Sequence, residues 1–338
     1  MKNPAIENLP ALSVVIIGRN EGQRLARCLA SVRAMRGVTG TIEIIYVDSA
    51  STDDSVLLAQ RYHAQVIVLS DERPTAARGR NAGWRAARAP FVLFLDGDTI
   101  LDPDFAVCAL PHFANDKVAV VCGQRREIAP GNSVYNRVLD LDWVFQAGEA
   151  AYCGGDALMR RAVLQELDGY DASLIAGEEP DLCCRMRLRG YVILQTGEPM
   201  TGHDLAITRW SQYWRRAVRT GYAYAQVARR FRHTAQPLWS AEVKHNFTRG
   251  GALAGLLCAG LASAWLLQAL WPLAFAFFMF ATLVLRTALK TRWKAPQFTT
   301  RLLYGAHSHL QQIPILIGQL MFWRDQWMQR RRALIEYK

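Results

Sequence analysis

The sequence has 338 residues, of which 51% are hydrophobic, and its formal net charge is +11. This length allows one large domain with an appendage, or two domains. The apolar content exceeds what a soluble α/β enzyme needs, so part of the chain is predicted to contact lipid. The seven cysteines include no CxxC pair, which argues against a zinc site or a disulfide framework and favours a reducing compartment.

Strand-like and helix-like segments alternate along the first part of the chain. Strands are predicted at residues 12–17, 42–47, 65–69, 91–95 and 118–122. Helices are predicted from Asn20, where Gln23 completes a capping-box pattern, from Ser51 or Thr52, and over residues 75–88 and 102–114. This alternation predicts an α/β fold with a mostly parallel sheet and helices on both faces. Ligands in such sheets bind at the carboxyl ends of the strands, where the sequence places Asn20, Asp48 and Asp96.

The strand over residues 91–95 is entirely apolar and is followed at once by Asp96-Gly97-Asp98. Two carboxylates one residue apart can hold a hard divalent cation, Mg²⁺ or Mn²⁺, which commonly neutralises a diphosphate. The alternative is an Asx turn, since Asp and Gly are frequent turn formers. No GxGxxG follows the first strand and no GxxxxGK[ST] is present, so a metal is the predicted diphosphate partner.

Two acidic residues precede Pro180 in the segment GEEPDLCCRMRLRGY, which is predicted to be a helix ending near Gly190. Glu178 and Glu179 then lie at the helix N-terminus, where the macrodipole favours the ionised carboxylate that a general base requires. The alternative is ordinary capping, because acidic residues are common at helix N-termini.

Two shorter features also suggest a site. Gly154-Gly155-Asp156 is predicted to be a loop where the backbone can approach a ligand closely. His203, which Asp204 follows, is either a third metal ligand oriented by a neighbouring carboxylate or a surface or capping residue.

The C-terminal part of the chain is basic and then strongly apolar. Residues 209–231 form a predicted amphipathic helix with a basic edge, suited to a bilayer interface or to packing on a protein core. Residues 252–285 carry no charge and are predicted to form two short spans joined at LWP. Basic residues flank this stretch and none lies in its turn, so both ends are predicted to face the cytoplasm.

These features predict three regions. A catalytic domain is expected over residues 1–207, and a basic interface helix with a linker over residues 208–250. Residues 251–338 are expected to form a membrane hairpin at about 252–288, an amphipathic stretch bent at Pro314, and a basic tail.

Five ordered segments of the chain together resemble the family 2 glycosyltransferases, which have the GT-A fold. The segments are SVVIIGRNE, EIIYVDSASTDDS, RGRNAGWRAA, DGD and GEEPDLCCRMRLRGY. They are similar to the family's opening strand and loop, its VDDGSTD block, its ARNxG helix, its DxD motif and its ED segment. Ser49 departs from the pattern, since a second Asp is usual there, and Glu179 stands where an Asp is usual. The QxxRW signature of processive synthases is absent, which favours a single transfer.

The resemblance implies a role for each matching residue. Asn20, Glu21, Asp48, Arg80 and Asp96 would bind the nucleotide, with Asp48 on the uracil of a UDP-sugar. Asp98, Asp96 and His203 would hold Mg²⁺ or Mn²⁺. Glu179, with Glu178 as the fallback, would deprotonate the acceptor hydroxyl.

The resulting prediction is an inverting, metal-dependent glycosyltransferase. It would act on a lipid-linked or glycolipid acceptor at the cytoplasmic face of the inner membrane, anchored through its C-terminal hairpin. Two alternatives are weighed against it. A nucleotidyltransferase would typically show a glycine-rich loop after the first strand, which GRNEGQR is not. A basic nucleic-acid or membrane-binding module would fit the net charge, but the basic residues flank the hairpin and no nucleic-acid motif is present, so no nucleic-acid partner is expected.

Overall fold

The structure is a computed structural model that describes residues 9–70 and 75–330, and these residues group into two compact units. The first unit contains the chain up to Ile128, together with Phe145–Leu174 and Glu178–Asp204. The second contains Ala129–Val144, Ile175–Gly177 and the chain from Leu205. Residues 129–144 thus group with the second unit although they lie inside the predicted domain 1–207. The three predicted regions stay a prediction, and the basic tail lies almost wholly outside the described residues.

The first unit is built on one mixed sheet, which has nine strands within the described residues. The strands are β1 (Leu12–Gly18), β2 (Ile42–Asp48), β3 (Gln65–Val68), β4 (Phe91–Asp96), β5 (Thr99–Leu101), β6 (Val118–Glu127), β7 (Gly148–Glu149), β8 (Ala157–Arg160) and β9 (Val192–His203). Their order is β3-β2-β1-β4-β8-β6-β9-β5, with β7 paired to β9. Strands β3, β2, β1 and β4 are parallel, β8 is antiparallel to both its neighbours, and β6 is parallel to β9. The predicted mixed, mostly parallel α/β sheet is confirmed.

Helices connect these strands. They are α1 (Gln23–Arg33), α2 (Ser55–Arg61), α3 (Ala76–Ala86), α4 (Phe105–Ala109) with a 3₁₀ turn (Leu110–Ala114), α6 (Arg161–Glu166) and α7 (Glu178–Leu188). The chain moves outward from β1 to β3 and then returns to β4 beside β1. Since parallel crossovers are right-handed, α1 and α2 lie on one face of the sheet and α3 lies on the other. The strand order therefore reverses between β1 and β4, which is where α/β sheets bind ligands.

The core of the first unit explains why β1 and β4 are central. Val14, Val15 and Ile16 on β1 are fully buried, as are Leu93 and Phe94 on β4. Strands covered on both faces have such continuous apolar runs. The carboxyl ends of β1 and β4 are therefore held rigidly by the core.

Two predicted helix starts are wrong in detail. Helix α1 begins at Gln23 and has no side-chain cap, because the side-chain oxygen of Asn20 accepts hydrogen bonds from Thr52 instead. Helix α2 begins at Ser55, three residues after Thr52. In both cases the polar residue bridges two loops rather than capping the following helix.

The second unit is helical within the described residues. Its helices are α5 (Val134–Asp140) with a 3₁₀ turn (Leu141–Trp143), α8 (Trp210–Phe231), α9 (Ser240–Leu267), α10 (Trp271–Lys290), α11 (Phe298–Leu310) and α12 (Gln312–Trp327). A bend was predicted at Pro314. The structure has a helix break three residues earlier, at Gln311, between α11 and α12. This position is expected, because a proline ring clashes with the carbonyl four residues earlier.

The predicted apolar stripe of α8 is mostly covered by protein. Ala217, Gly221, Ala228 and Phe231 are buried, whereas Trp210 is half exposed. This burial favours the alternative in which the stripe packs on a protein core. The placement of α8 at a membrane surface stays a prediction.

Helices α9 and α10 are long and apolar enough to cross a membrane. They pack on each other where Gly260 faces Ala276. Large apolar side chains around their connecting turn are exposed, including Trp265 at 74%, Leu270 at 78% and Phe277 at 72%. A soluble protein rarely exposes such a continuous apolar surface.

Gly318 offers a test of the α8–α12 contact. A Cβ on Gly318 would lie 2.0 Å from the carbonyl oxygen of Val218, so Gly318→Ala forces the two helices apart. Overpacking of this kind costs about 1–3 kcal/mol, and thermal unfolding of the detergent-solubilised protein should occur at a lower temperature. Gly251→Ala is the matched control, because no atom of the described residues beyond the adjoining helix backbone lies within 4 Å of its added Cβ and alanine favours helix. Equal unfolding temperatures for the two variants would contradict this packing.

Candidate active site

Three possible metal ligands meet at the carboxyl ends of β4 and β9. Asp96 ends β4, Asp98 follows it in the turn, and His203 ends β9. Strand β5 pairs with β9 so that Thr99 lies opposite His203, which brings the histidine beside the turn. One ligand atom from each of the three residues lies within 4.8 Å of the others, and His203 Nε2 is 3.4 Å from Asp98 Oδ1.

The chemistry of this set fits a divalent cation. Two carboxylate oxygens suit Mg²⁺ or Mn²⁺, and an imidazole nitrogen is accepted by several divalent metals. Asp98 and His203 are buried and Asp96 is partly exposed, so the set opens to solvent on one side. The alternative that His203 is a surface residue is wrong, since its side chain is 7% exposed.

A buried arginine links this metal set to the candidate base. Arg80, on α3, is 2% exposed, and its Nη2 lies 2.8 Å from Asp96 Oδ1. Its Nη1 lies 2.8 Å from Glu179 Oε1 and 3.1 Å from Glu178 Oε1. Two predicted catalytic carboxylates and one predicted metal ligand therefore share a single guanidinium.

The two glutamates differ in exposure. Both belong to the first turn of α7, as predicted, but the side chain of Glu178 is 6% exposed and that of Glu179 is 15% exposed. Burial, followed by the charge of Glu178, raises the pKa of Glu179 to about 7, and Arg80 opposes the rise. Burial and the charge of Glu178 thus outweigh the helix N-terminus, which was expected to favour the ionised form. A carboxyl group with this pKa is well matched to proton transfer near neutral pH.

The loops after β1 and β2 are tied together on the nucleotide side of the predicted site. Asn20 accepts hydrogen bonds from the Thr52 N–H at 2.7 Å and its hydroxyl at 3.3 Å, and its own N–H donates to Ser51 Oγ at 2.8 Å. Asp48 is 1% exposed and accepts from the Tyr46 hydroxyl at 2.9 Å and the Ser51 N–H at 2.7 Å. These bonds fix the shape of this edge of the sheet.

Glu21 lies in the same loop. Its N–H donates to Ser55 Oγ at 3.2 Å, and its carboxylate pairs with Arg24 at 2.9 Å. The structure therefore places Asn20, Glu21 and Asp48 at one edge of the sheet. Their nucleotide-binding roles stay a prediction.

Two charged side chains near Asp96 were given no role by the sequence analysis. Asp156 is the last residue of the predicted loop Gly154-Gly155-Asp156 and is 4% exposed, and it pairs with Arg125 of β6 at 2.7 Å. A Cβ on Gly155 would lie 2.4 Å from Arg80 Nη2 and 2.8 Å from Asp96 Oδ2. The close approach that the Gly-Gly pair predicted is thus to the protein's own charged groups. An acidic residue directly after this pair was the available signal for Asp156.

The fold and this arrangement are those of a GT-A type glycosyltransferase, and sequence comparison agrees. Residues 13–168 match the model of glycosyl transferase family 2. Residues 13–168 therefore form a family 2 glycosyltransferase domain. The matched range contains Asp48, Arg80, Asp96 and Asp98, whereas Glu179 and His203 lie beyond it.

Curated relatives share the same part of the chain. The pre-mycofactocin glycosyltransferase of Mycobacterium tuberculosis is 27% identical over 212 residues, which cover 57% of this chain and 42% of that protein. The O-antigen chain rhamnosyltransferase WbaN of Salmonella anatum is 28% identical over 197 residues, covering 51% of this chain and 60% of that protein. The chain thus covers less than two thirds of the length of either relative.

Solved structures resemble the chain over more of its length. Mannosyltransferase PcManGT from Pyrobaculum calidifontis, solved with GDP-mannose and Mn²⁺, has a TM-score of 0.65 at 19% identity, covering 93% of this chain and 88% of its own. S. aureus TarS, solved with UDP-GlcNAc, has a TM-score of 0.50 at 17% identity, covering 89% of this chain and 91% of its own. At these identities the likeness shows the fold.

Proposed function

We propose that this protein transfers a sugar from a nucleoside diphosphate sugar to an acceptor hydroxyl, with inversion at the anomeric carbon. The observation that carries the proposal is Arg80, which contacts Asp96 of the metal set at 2.8 Å and Glu179 at 2.8 Å. This reaction needs a cation that binds the diphosphate and a general base. The buried guanidinium of Arg80 contacts both a proposed ligand of that cation and the proposed base. A UDP-sugar is the proposed donor, and a GDP-sugar is the first alternative because PcManGT was solved with GDP-mannose.

Each residue has a proposed task. Asp96, Asp98 and His203 would hold Mg²⁺ or Mn²⁺, which when bound neutralises negative charge on the diphosphate. Asn20, Glu21 and Asp48 would line the nucleoside side, and Arg80 would keep Asp96 and Glu179 oriented. The Mn²⁺ in the PcManGT structure supports a divalent cation here.

Glu179 is the proposed general base. Its carboxylate takes the proton of the acceptor hydroxyl while that oxygen bonds to the anomeric carbon from the face opposite the diphosphate. The bond from the anomeric carbon to the diphosphate oxygen breaks, and its electron pair leaves with the nucleoside diphosphate. Glu179 is preferred to Glu178 because its side chain is the more exposed of the two.

The acceptor is proposed to be a lipid-linked saccharide or glycolipid at the cytoplasmic face of the cell membrane. The exposed apolar surface of α9 and α10 supports this location. The basic side chains of Lys244, Arg249 and Arg286 flank the apolar stretch and would meet anionic headgroups. A membrane-anchored enzyme would meet such an acceptor by diffusion in the bilayer.

Membrane insertion can be tested at the exposed face of α10. Phe277 and Phe278 are 72% and 67% exposed, and replacing both by lysine should release the protein from membranes washed with alkaline carbonate. A lysine at the centre of a span costs about 2.5–3.5 kcal/mol. Leu57→Lys, at an α2 side chain that is 54% exposed, is the control and should not change the membrane fraction. Retention of the double variant after the wash would contradict insertion of α10.

The function itself is tested with the purified, detergent-solubilised protein. We expect release of the nucleoside diphosphate from one UDP- or GDP-sugar when Mn²⁺ or Mg²⁺ and a membrane lipid extract are present. Mass spectrometry should show one added sugar, and NMR of the product should show inversion. A parallel reaction with nucleoside triphosphates and sugar 1-phosphates tests for a nucleotidyltransferase. Pyrophosphate release there, without transfer from any sugar nucleotide, would reject the proposal.

A further inference from the structure

Asp156 receives three polar contacts from three different strands. Its Oδ1 accepts the backbone N–H of Asp96, at the end of β4, at 3.0 Å. Its Oδ2 accepts the hydroxyl of Thr201, on β9, at 2.7 Å, and lies 2.7 Å from Arg125 Nη2, on β6. Its side chain is 1% exposed. Both oxygens of this carboxylate are therefore bound by groups of the protein itself.

These contacts join the two strands that supply the metal ligands. Arg125 lies directly opposite Thr201 in the parallel pairing of β6 with β9, and Glu127 lies opposite His203. Thr201 therefore precedes His203 by two residues on the same strand, and the two side chains point to the same face. Asp156 thus connects the backbone of one metal ligand, Asp96, to the strand that carries another, His203.

The same carboxylate also determines which acidic group Arg125 pairs with. Arg125 Nη2 lies 3.9 Å from Asp96 Oδ2 but only 2.7 Å from Asp156 Oδ2. Arg80 is bound to the other oxygen of Asp96, Oδ1. As long as Asp156 is charged and close, Arg125 is held away from Asp96 Oδ2. If Asp156 lost its charge, the Asp96 carboxylate, 3.9 Å away, would be within reach of Arg125.

We propose that Asp156 is a positioning residue of the metal site, which fixes the ends of β4 and β9 and keeps Arg125 off Asp96 Oδ2. This inference rests on the proposed function, since it assumes that Asp96, Asp98 and His203 bind a divalent cation. Residues that orient metal ligands typically change metal affinity about 10–100-fold when they are replaced. Asp156 does not contact the substrate or the cation in this scheme.

The test is Mn²⁺ binding by the full-length protein, measured from the electron paramagnetic resonance signal of free Mn²⁺. Asp156→Asn keeps the size of the side chain, and we expect its Kd for Mn²⁺ to rise at least tenfold. The Mn²⁺ concentration for half-maximal transfer should rise in parallel, whereas kcat at saturating Mn²⁺ should fall less. Arg125→Met added to Asp156→Asn removes the released guanidinium and should recover most of the lost affinity. A merely structural role would not give this recovery.

Asp168→Asn is the matched control, because Asp168 is exposed and pairs with Arg85 at the surface. It should bind Mn²⁺ as the unaltered protein does. Absence of Mn²⁺ binding by the unaltered protein would reject the metal site of the proposed function. Binding by the unaltered protein and equal binding by Asp156→Asn would overturn only the present inference.

Two further outcomes complete the test. If Asp156→Asn and the double variant bind Mn²⁺ equally weakly, the role assigned to Arg125 is overturned. If Asp156→Asn fails to fold, Thr201→Val removes one contact of Asp156 without burying a new charge, and it should raise the Kd for Mn²⁺ by about threefold. No change in Thr201→Val would overturn the proposed connection between β4 and β9.

Discussion

Replacing Asp98 by asparagine is expected to reduce sugar transfer by about a thousandfold. Charge stabilisation by a catalytic metal is worth several kcal/mol, and about 4 kcal/mol corresponds to a factor of about a thousand in rate. Asp98 is the more buried of the two acids in the metal set, with a side chain 4% exposed. Asparagine keeps the shape but removes the negative charge, so the site should lose affinity for Mn²⁺ rather than its fold.

Two measurements separate this effect from general damage. The affinity for UDP or GDP in the presence of Mn²⁺ should fall in Asp98→Asn, whereas the metal-free affinity should change little. Asp168→Asn is the control, because this acid is exposed and pairs with Arg85 at 2.8 Å. Nearly unchanged transfer in Asp98→Asn, together with normal Mn²⁺ affinity, would remove Asp98 from the metal set.

The edge of the sheet could be predicted from sequence because its signals are local. An apolar strand ending in Asp96 predicts a buried strand with polar groups at its end, and the structure has that strand at Phe91–Asp96. Glu178 and Glu179 could be placed at a helix N-terminus because Pro180 and Gly190 mark the two ends of α7. In each case a few neighbouring residues determine the geometry.

The contacts of the charged groups could not be predicted, because they depend on residues distant in sequence. Arg80 meets Glu178 across 98 positions, and Asp156 meets Asp96 across 60. Whether an arginine is solvated or fully buried depends on sheet order, which sequence periodicity does not give. The same reason explains Asn20, whose capping pattern was outweighed by bonds to Thr52, 32 positions away.

The pKa of Glu179 shows how such long-range contacts change chemistry. A helix N-terminus alone would lower it, but burial and the adjacent Glu178 raise it to about 7. The group is therefore a stronger base than an ordinary carboxylate, and it is still largely ionised slightly above neutral pH. This combination cannot be read from a local motif.

Replacing Glu179 by glutamine is expected to reduce kcat by about 10²–10⁴-fold, the usual contribution of a general base. Glutamine has the same size and cannot accept the proton. In the unaltered protein the rate should fall about tenfold per pH unit below pH 7, because the pKa of Glu179 is raised to about 7 and only its ionised form is active. The glutamine variant should lose this acidic limb while it keeps its affinity for Mn²⁺ and donor.

Glu178→Gln distinguishes the two candidate bases. Glu178 raises the pKa of Glu179 through its charge, so removing that charge should move the acidic limb of the profile to lower pH and leave turnover in place. If Glu178 were the base, Glu178→Gln would abolish turnover and Glu179→Gln would only shift the profile. The direction in which the pH profile shifts and the identity of the inactive variant are therefore two independent tests of which glutamate is the base.

Thermal stability provides the remaining control, and the direction in which it changes with pH follows from the raised pKa of Glu179. Between the unfolded pKa and about 7 the folded protein binds more protons at Glu179 than the unfolded chain does, so this group makes stability fall as pH rises through that window. Glutamine removes the titration. Glu179→Gln should thus unfold at a temperature no lower than the unaltered protein at pH 8, with the two converging toward pH 5. An inactive variant that is also less stable at pH 8 would mean that the loss of turnover reflects a damaged fold and not a missing base.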